Sequence, residues 1–335
     1  MSSTLALDLL KLVLVTSAAK SMISKPIVLC LVIFVVESLI GFLANMFIMV
    51  VNGLDVANGQ LLSPTDLLLT SLALSRFCFQ GILMVTHVMY FFPNVTIRIG
   101  TFRSFQVLWM FFNISSLWLA TWLCVFYCAR IANFSHPLFV YVKVHISQWV
   151  PRLLLVSVLL SLACSLSLTT NLDNLTKNNE IFANNTPPLF IGQTFYYPWL
   201  IIYISSSAVP FALFWLAATL LLKSLRRHAW QMQRSNAPAL QGPMLTAHHS
   251  AIKFIRNFFF FYSSYFVALI LQVYTTENGA SLTCLYNNVV AAYPSLHSVI
   301  LIISNAKLKQ AGARLLHQAR GSLKTPTLTL ETVSV

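Results

Sequence analysis

The sequence predicts an all-α membrane protein: a bundle of seven membrane-crossing helices with its N-terminus outside and its C-terminus in the cytoplasm. Three observations carry that reading. Of the 335 residues, 57% are hydrophobic and only 9% charged, whereas a soluble domain carries about 25% charged residues; such a chain needs lipid as its solvent. Seven apolar runs occur, at about 27–51, 65–92, 104–131, 151–170, 196–222, 254–274 and 286–303, each near the roughly 20 residues a helix needs to cross the hydrocarbon core. The runs are continuous rather than alternating, which excludes a strand barrel. Finally, with the N-terminus outside, fourteen Lys and Arg fall on the cytoplasmic side and six on the outer side, the asymmetry that sets membrane topology.

The elements follow in order. Residues 1–26 form an outer arm. Leu5 to Ala19 is apolar but short, and Asp8 and Lys11 interrupt it, so it suits an interfacial helix rather than a span; a start at Met22 is the alternative. The spans and their short loops occupy 27–303, and residues 304–335 form a cytoplasmic tail. The first inner loop, Asn52 to Pro64, departs from the charge rule by having no Lys or Arg. Pro210 and Pro294 should kink spans five and seven. The sequons at Asn94, Asn174 and Asn184 all fall in outer loops, where glycosylation can reach them. No internal repeat with matched broken helices appears, as a secondary transporter would show.

Net charge is +13. The basic residues sit between and after the apolar runs, so they read as topology signals beside anionic lipid rather than as a nucleic-acid footprint. Five of the six cysteines, all but Cys284, lie within apolar runs and act there as small hydrophobes. The sequence therefore offers no outer disulfide pair, and no Cys/His spacing calls for a metal. No cofactor is implied, and no nucleophile elbow or acid–base cluster suggests an enzyme.

Polar residues inside the spans mark where function should lie, since a charge in a membrane core is costly and faces a bundle interior. Glu37, Gly41 and Asn45 share one face of span one at four-residue spacing, able to offer hydrogen bonds to Arg76 in span two. Both a latch that rearranges on activation and a static inter-helix network fit that face. Trp109 and Asn113, four apart in span three, fit either an apolar ligand pocket with few polar anchors or an interfacial Trp beside an inter-helix amide. His87 lies near the outer end of span two, and spans six and seven offer Tyr262, Tyr265, Leu269, Asn287 and Val290; Tyr262 and Tyr265, three apart, can face one cavity.

Taken together, the motifs resemble the type 2 taste receptors, the bitter taste receptors among seven-helix G-protein-coupled receptors. The resemblance runs from about 27 to 318. It rests on Glu37-x3-Gly41-x3-Asn45, on Leu61-Leu62-Ser63-Pro64-Thr65-Asp66 with Leu72-Ala73-Leu74-Ser75-Arg76, and on Leu117-Trp118-Leu119-Ala120 with the string Phe126 to Pro137. It continues in Leu222-Lys223-Ser224-Leu225-Arg226-Arg227-His228, in Ala247-His248-x2-Ala251-x-Lys253, and in Tyr293-Pro294-Ser295-x-His297-Ser298. The resemblance implies an agonist cavity opening outward between spans two, three, five, six and seven. Trp109 and Asn113 would be its main contacts, with His87, Tyr262, Tyr265, Leu269, Asn287 and Val290 lining it. Glu37, Asn45, Arg76, Tyr127, Arg130, His297 and Ser298 would form an activation network. A gustducin-like G protein would dock on the basic inner ends around Arg130, His228, Lys253 and Lys307. A seven-helix receptor for another ligand, such as a pheromone, is the nearest rival reading; a transporter or channel is the next.

Overall fold

The computed structural model describes residues 25–91, 99–132, 136–178, 188–234, 241–275 and 280–323. The described residues form eight helices: α1 (Lys25–Ala57), α2 (Pro64–Phe91), α3 (Ile99–Ile131), α4 (Pro137–Asn178), α5 (Pro188–Arg234), α6 (Gln241–Thr275), α7 (Ala280–Ser304) and α8 (Ala306–Leu323). Each of α1 to α7 contains a stretch long and apolar enough to cross a membrane, so all seven spans occur where the apolar runs lie. The arm through residue 24 lies outside the described residues.

Two boundaries differ from the sequence expectation. Span four was placed to begin at Pro151, yet α4 starts at Pro137 and carries Pro151 inside it. A proline removes one backbone donor, which a membrane helix tolerates when neighbouring groups satisfy the freed carbonyl. The tail, for which the sequence predicts no element, contains α8. Its start follows from Asn305, whose Oδ1 accepts the backbone N–H groups of Lys307 at 3.0 Å and Leu308 at 3.2 Å, the N-cap arrangement.

The first inner loop is shaped by local chemistry. Gly59 has φ 78°, the left-handed conformation that only glycine adopts freely. It lets the N–H of Gly59 reach Val56 O and that of Gln60 reach Asp55 O, both at 2.9 Å, closing α1 with a Schellman motif. Ser63 then caps α2: its Oγ accepts the Asp66 N–H at 3.1 Å and donates to Asp66 Oδ2 at 2.9 Å, with Pro64 in the first helical position.

In the bundle, α1 packs between α2 and α7, and α6 between α5 and α7, while α3 touches α2, α4 and α5. α3 is the most buried span and α4 the least. Polar side chains tie neighbours together as expected where lipid offers no hydrophobic driving force. Ser75 donates to Phe112 O at 2.8 Å, Thr121 to Pro210 O at 3.0 Å, and Trp122 Nε1 to Ser157 Oγ at 2.9 Å.

Candidate functional site

The half of the bundle away from α8 is organised around Asn113. This residue is 2% exposed and Trp109, one turn above it, 8%. The Asn113 amide nitrogen donates to the hydroxyls of Tyr203 on α5 and Tyr265 on α6, the latter at 3.1 Å. The two phenols also bond each other. Trp109 lies between Phe79, at 5.7 Å between ring centroids, and Tyr203, at 5.1 Å. Three helices thus meet in one amide–phenol knot roofed by an indole. The sequence places Trp109 and Asn113 on one face of α3; the structure joins them to Tyr265 and adds Tyr203.

Of the other lining residues, Tyr262, Leu269 and Val290 are buried and Asn287 is half-buried. Tyr262 packs on Phe214 at 4.5 Å and Tyr293 at 5.1 Å. His87 falls in α2, but its side chain lies outside the described residues, as do the side chains of the sequons Asn94, Asn174 and Asn184.

Below this knot, a second polar cluster centres on Arg76, which is 0% exposed. Its guanidinium donates to Ser298 Oγ and Tyr293 Oη, each at 3.3 Å, and to His297 Nδ1 at 2.6 Å. Arginine can only donate, so His297 accepts through Nδ1 and carries its proton on Nε2. The imidazole stacks on Phe258 at 3.5 Å. Ser298 donates to Asn45 Oδ1 at 2.7 Å, Asn45 to Gln80 Oε1 at 3.3 Å, and Gln80 to Ser295 Oγ at 2.7 Å. The structure therefore brings Asn45, Arg76, His297 and Ser298 together. It leaves out Glu37, whose Oε2 is buried without a hydrogen-bond partner among the described residues. Eight residues separate Glu37 from Asn45, about 12 Å along the helix axis, which takes it out of reach of this cluster. Gly41, between them, is where Gln80 and Ser295 press against α1, leaving no room for a Cβ.

The two clusters are contiguous. Tyr265 packs on Tyr293 at 5.1 Å between centroids, and Tyr293 bonds Arg76. An unbroken chain of contacts thus runs from Asn113 through two phenols to α7 and back to α1.

Tyr127 and Arg130 belong elsewhere. Arg130 is exposed at the end of α3, donates to Ser147 Oγ on α4 at 3.0 Å and lies over Phe126 at 5.5 Å; half-buried Tyr127 is likewise apart from the Arg76 cluster. His228 is half-buried and Lys253 exposed. Lys307 is engaged rather than free: its Nζ pairs with Asp55, with Asp66 at 3.2 Å, and donates to Asn52 Oδ1 at 2.8 Å. Burial alone would lower the Lys307 pKa, but its bonds to the two carboxylates and their charge hold it above the ordinary lysine value.

Tyr203, Gln80 and the Asn52–Asp55–Asp66 acceptors of Lys307 escaped the site prediction. Gln80 had a readable signal, four residues beyond Arg76 on the same face. Tyr203 had none, because its partners are 90 and 62 residues away.

Comparison with known proteins places this architecture. The family model described as Taste receptor protein (TAS2R) matches residues 22–320. Taste receptor type 2 member 41 of Pan paniscus is 35% identical over 302 residues, covering 87% of this chain and 96% of its own length. Member 7 of Rattus norvegicus is 34% identical over 297 residues, covering 87% and 95%. Member 39 of Homo sapiens is 32% identical over 302 residues, covering 86% of each.

Proposed function

The chain belongs to the type 2 taste receptor family, a multi-pass receptor of the plasma membrane and not an enzyme, and from that premise we propose how it senses bitter-tasting small molecules. The agonist enters a cavity facing outward between α2, α3, α5, α6 and α7 and binds against Trp109 and Asn113. The observation that carries this reading is the knot of Asn113, Tyr203 and Tyr265 beneath Trp109. It presents apolar walls with a small number of polar groups, the makeup of a small-molecule site.

The amide and phenols satisfy one another. An agonist with an acceptor or donor at this depth replaces one of those bonds, and its apolar body covers the indole. Binding is then favoured in the bundle arrangement where Tyr203 and Tyr265 have parted, so agonist shifts the population toward it. Tyr293 is positioned to pass that rearrangement of α5 and α6 to Arg76 and α7. A gustducin-like G protein docks at the α8 end, where Arg130 and Lys253 are exposed and His228 is half-buried. Lys307 serves there as a brace for α8 rather than as a contact.

The test is expression with a promiscuous G-protein α subunit and a panel of bitter compounds, read as calcium release. Responses should be lost in Trp109→Ala and Asn113→Ala at unchanged surface level. Full responses in both variants would overturn the site.

A further inference from the structure

α4 presents one continuous stripe to its surroundings. Tyr141, His145, Trp149, Arg152, Val156 and Leu159 recur at four- or three-residue spacing, which keeps them on one helical face. The opposite face, with Ile146, Val150, Ser157 and Ser161 buried, packs on α3. Along the stripe Tyr141, Val156 and Leu159 are 56%, 44% and 55% exposed. The first three side chains stack into a ladder, Tyr141 on His145 at 4.5 Å and His145 on Trp149 at 6.1 Å between centroids. His145 Nδ1 lies 3.0 Å from Tyr141 O, which fixes the middle ring.

Arg152 is the anomaly in this stripe. It is exposed, yet it falls inside the span Phe139–Ser167. Its depth can be read from α3: Ser147 meets Arg130 at the helix end, and Ser157 meets Trp122 well inside. Arg152 lies midway, about 7.5 Å deeper than Ser147 by helical rise. Among the described residues it makes no hydrogen bond or ion pair, and residues 137–167 contain no Asp or Glu. A charge facing hydrocarbon there is costly unless its long side chain reaches back to the interface and finds an anion.

We propose that this stripe binds an anionic phospholipid of the leaflet at the α8 end, with the phosphate on Arg152. The order of chemistry along the stripe fits that occupant. Tyr141, His145 and Trp149 lie at headgroup depth, where amphipathic rings belong; Arg152 follows, and then Val156 and Leu159 flank the acyl chains. Lys143 lies on the other face, where its Nζ donates to Ala132 O at 3.3 Å, and residues 137–167 hold no carboxylate to oppose Arg152. The site is independent of agonist binding and of which side of the membrane α8 faces.

The test uses the full-length receptor, purified with an equimolar mixture of phosphatidylserine and phosphatidylcholine and analysed by native mass spectrometry. The wild type should retain phosphatidylserine over phosphatidylcholine by about fivefold, the preference one arginine near the surface supplies. Arg152→Gln should abolish the preference, and Arg152→Lys should keep most of it. No preference in the wild type, or an unchanged one in Arg152→Gln, overturns the proposal. So does efficient disulfide formation between Val156→Cys receptors in vesicles, since a second copy would then cover the stripe.

Discussion

Asn113 shows how much one buried amide can hold together. Its nitrogen is committed to Tyr203 and Tyr265, so an agonist competes with a phenol rather than with water. Tyr203→Phe removes one competitor. It should lower the half-maximal concentration of agonists that carry an acceptor by about fivefold, given a net hydrogen-bond value near 1 kcal/mol, in concentration–response curves at equal surface level. Gly41 supports a sharper contrast. A Cβ there would overlap Gln80 and Ser295, whereas one at Gly53 meets nothing within 4 Å. Gly41→Ala should cost about 1–3 kcal/mol of stability, as overpacking does, and Gly53→Ala should be neutral or stabilising by up to about 1 kcal/mol. Thermal denaturation of the two solubilised variants checks the pair.

At the scale of elements, α8 is fastened by its first turn. Leu308 is fully buried, Asn305 caps the helix, and Lys307 joins it to α1 and α2 through Asp55 and Asp66. Lys307→Ala should loosen α8, seen as faster hydrogen exchange across 306–318, and should weaken calcium responses without moving agonist potency. The lysine pKa is raised in the folded chain. Its contribution is therefore complete below the ordinary lysine value and fades only as pH climbs through the raised one. The effect of Lys307→Ala on exchange should consequently be the same at pH 6.5 and pH 8.5, about two units or more below that range. The elements also show what a sequence discloses. Seven apolar runs gave seven spans because length and hydropathy are local properties. The start of α4 was misplaced because proline reads as a boundary in water, while a helix in lipid continues through it. The face of α1 was visible through its four-residue spacing, and Asn45 does meet Ser298, but the distance from Glu37 to Arg76 depends on how α1 leans on α2. Likewise Trp109 and Asn113 were legible as a pair on one helix, whereas the phenols that complete the knot come from α5 and α6 and leave no local trace.

For the whole molecule, we propose an orientation from charge. Placing the N-terminus outside puts fourteen basic residues on the α8 side of the membrane against six opposite, and places Asn94, Asn174 and Asn184 where glycosyl transfer occurs. Treatment of the expressed receptor with a glycosidase should increase its gel mobility, and replacing all three asparagines with glutamine should remove that shift. A persistent shift would mean that the sequon Asn133-Phe134-Ser135, which the charge rule assigns to the cytoplasm, is modified and that the topology is inverted.

Arg76 gives the molecule one further property. Its charge is buried among hydroxyls, an imidazole and an aromatic ring, and among the described residues no carboxylate bonds it. A unit charge that crossed the entire transmembrane field would exchange about 2.3 kcal/mol per 100 mV. Three hydrogen bonds fasten this one to α7, so it moves along the field only as far as that helix carries it. A displacement through one-tenth of the field would alter the activation equilibrium by about 0.2 kcal/mol per 100 mV, less than a twofold change. Dependence of agonist potency on membrane voltage would therefore measure, as a gating charge does in a channel, how far α2 and α7 travel along the bilayer normal on activation.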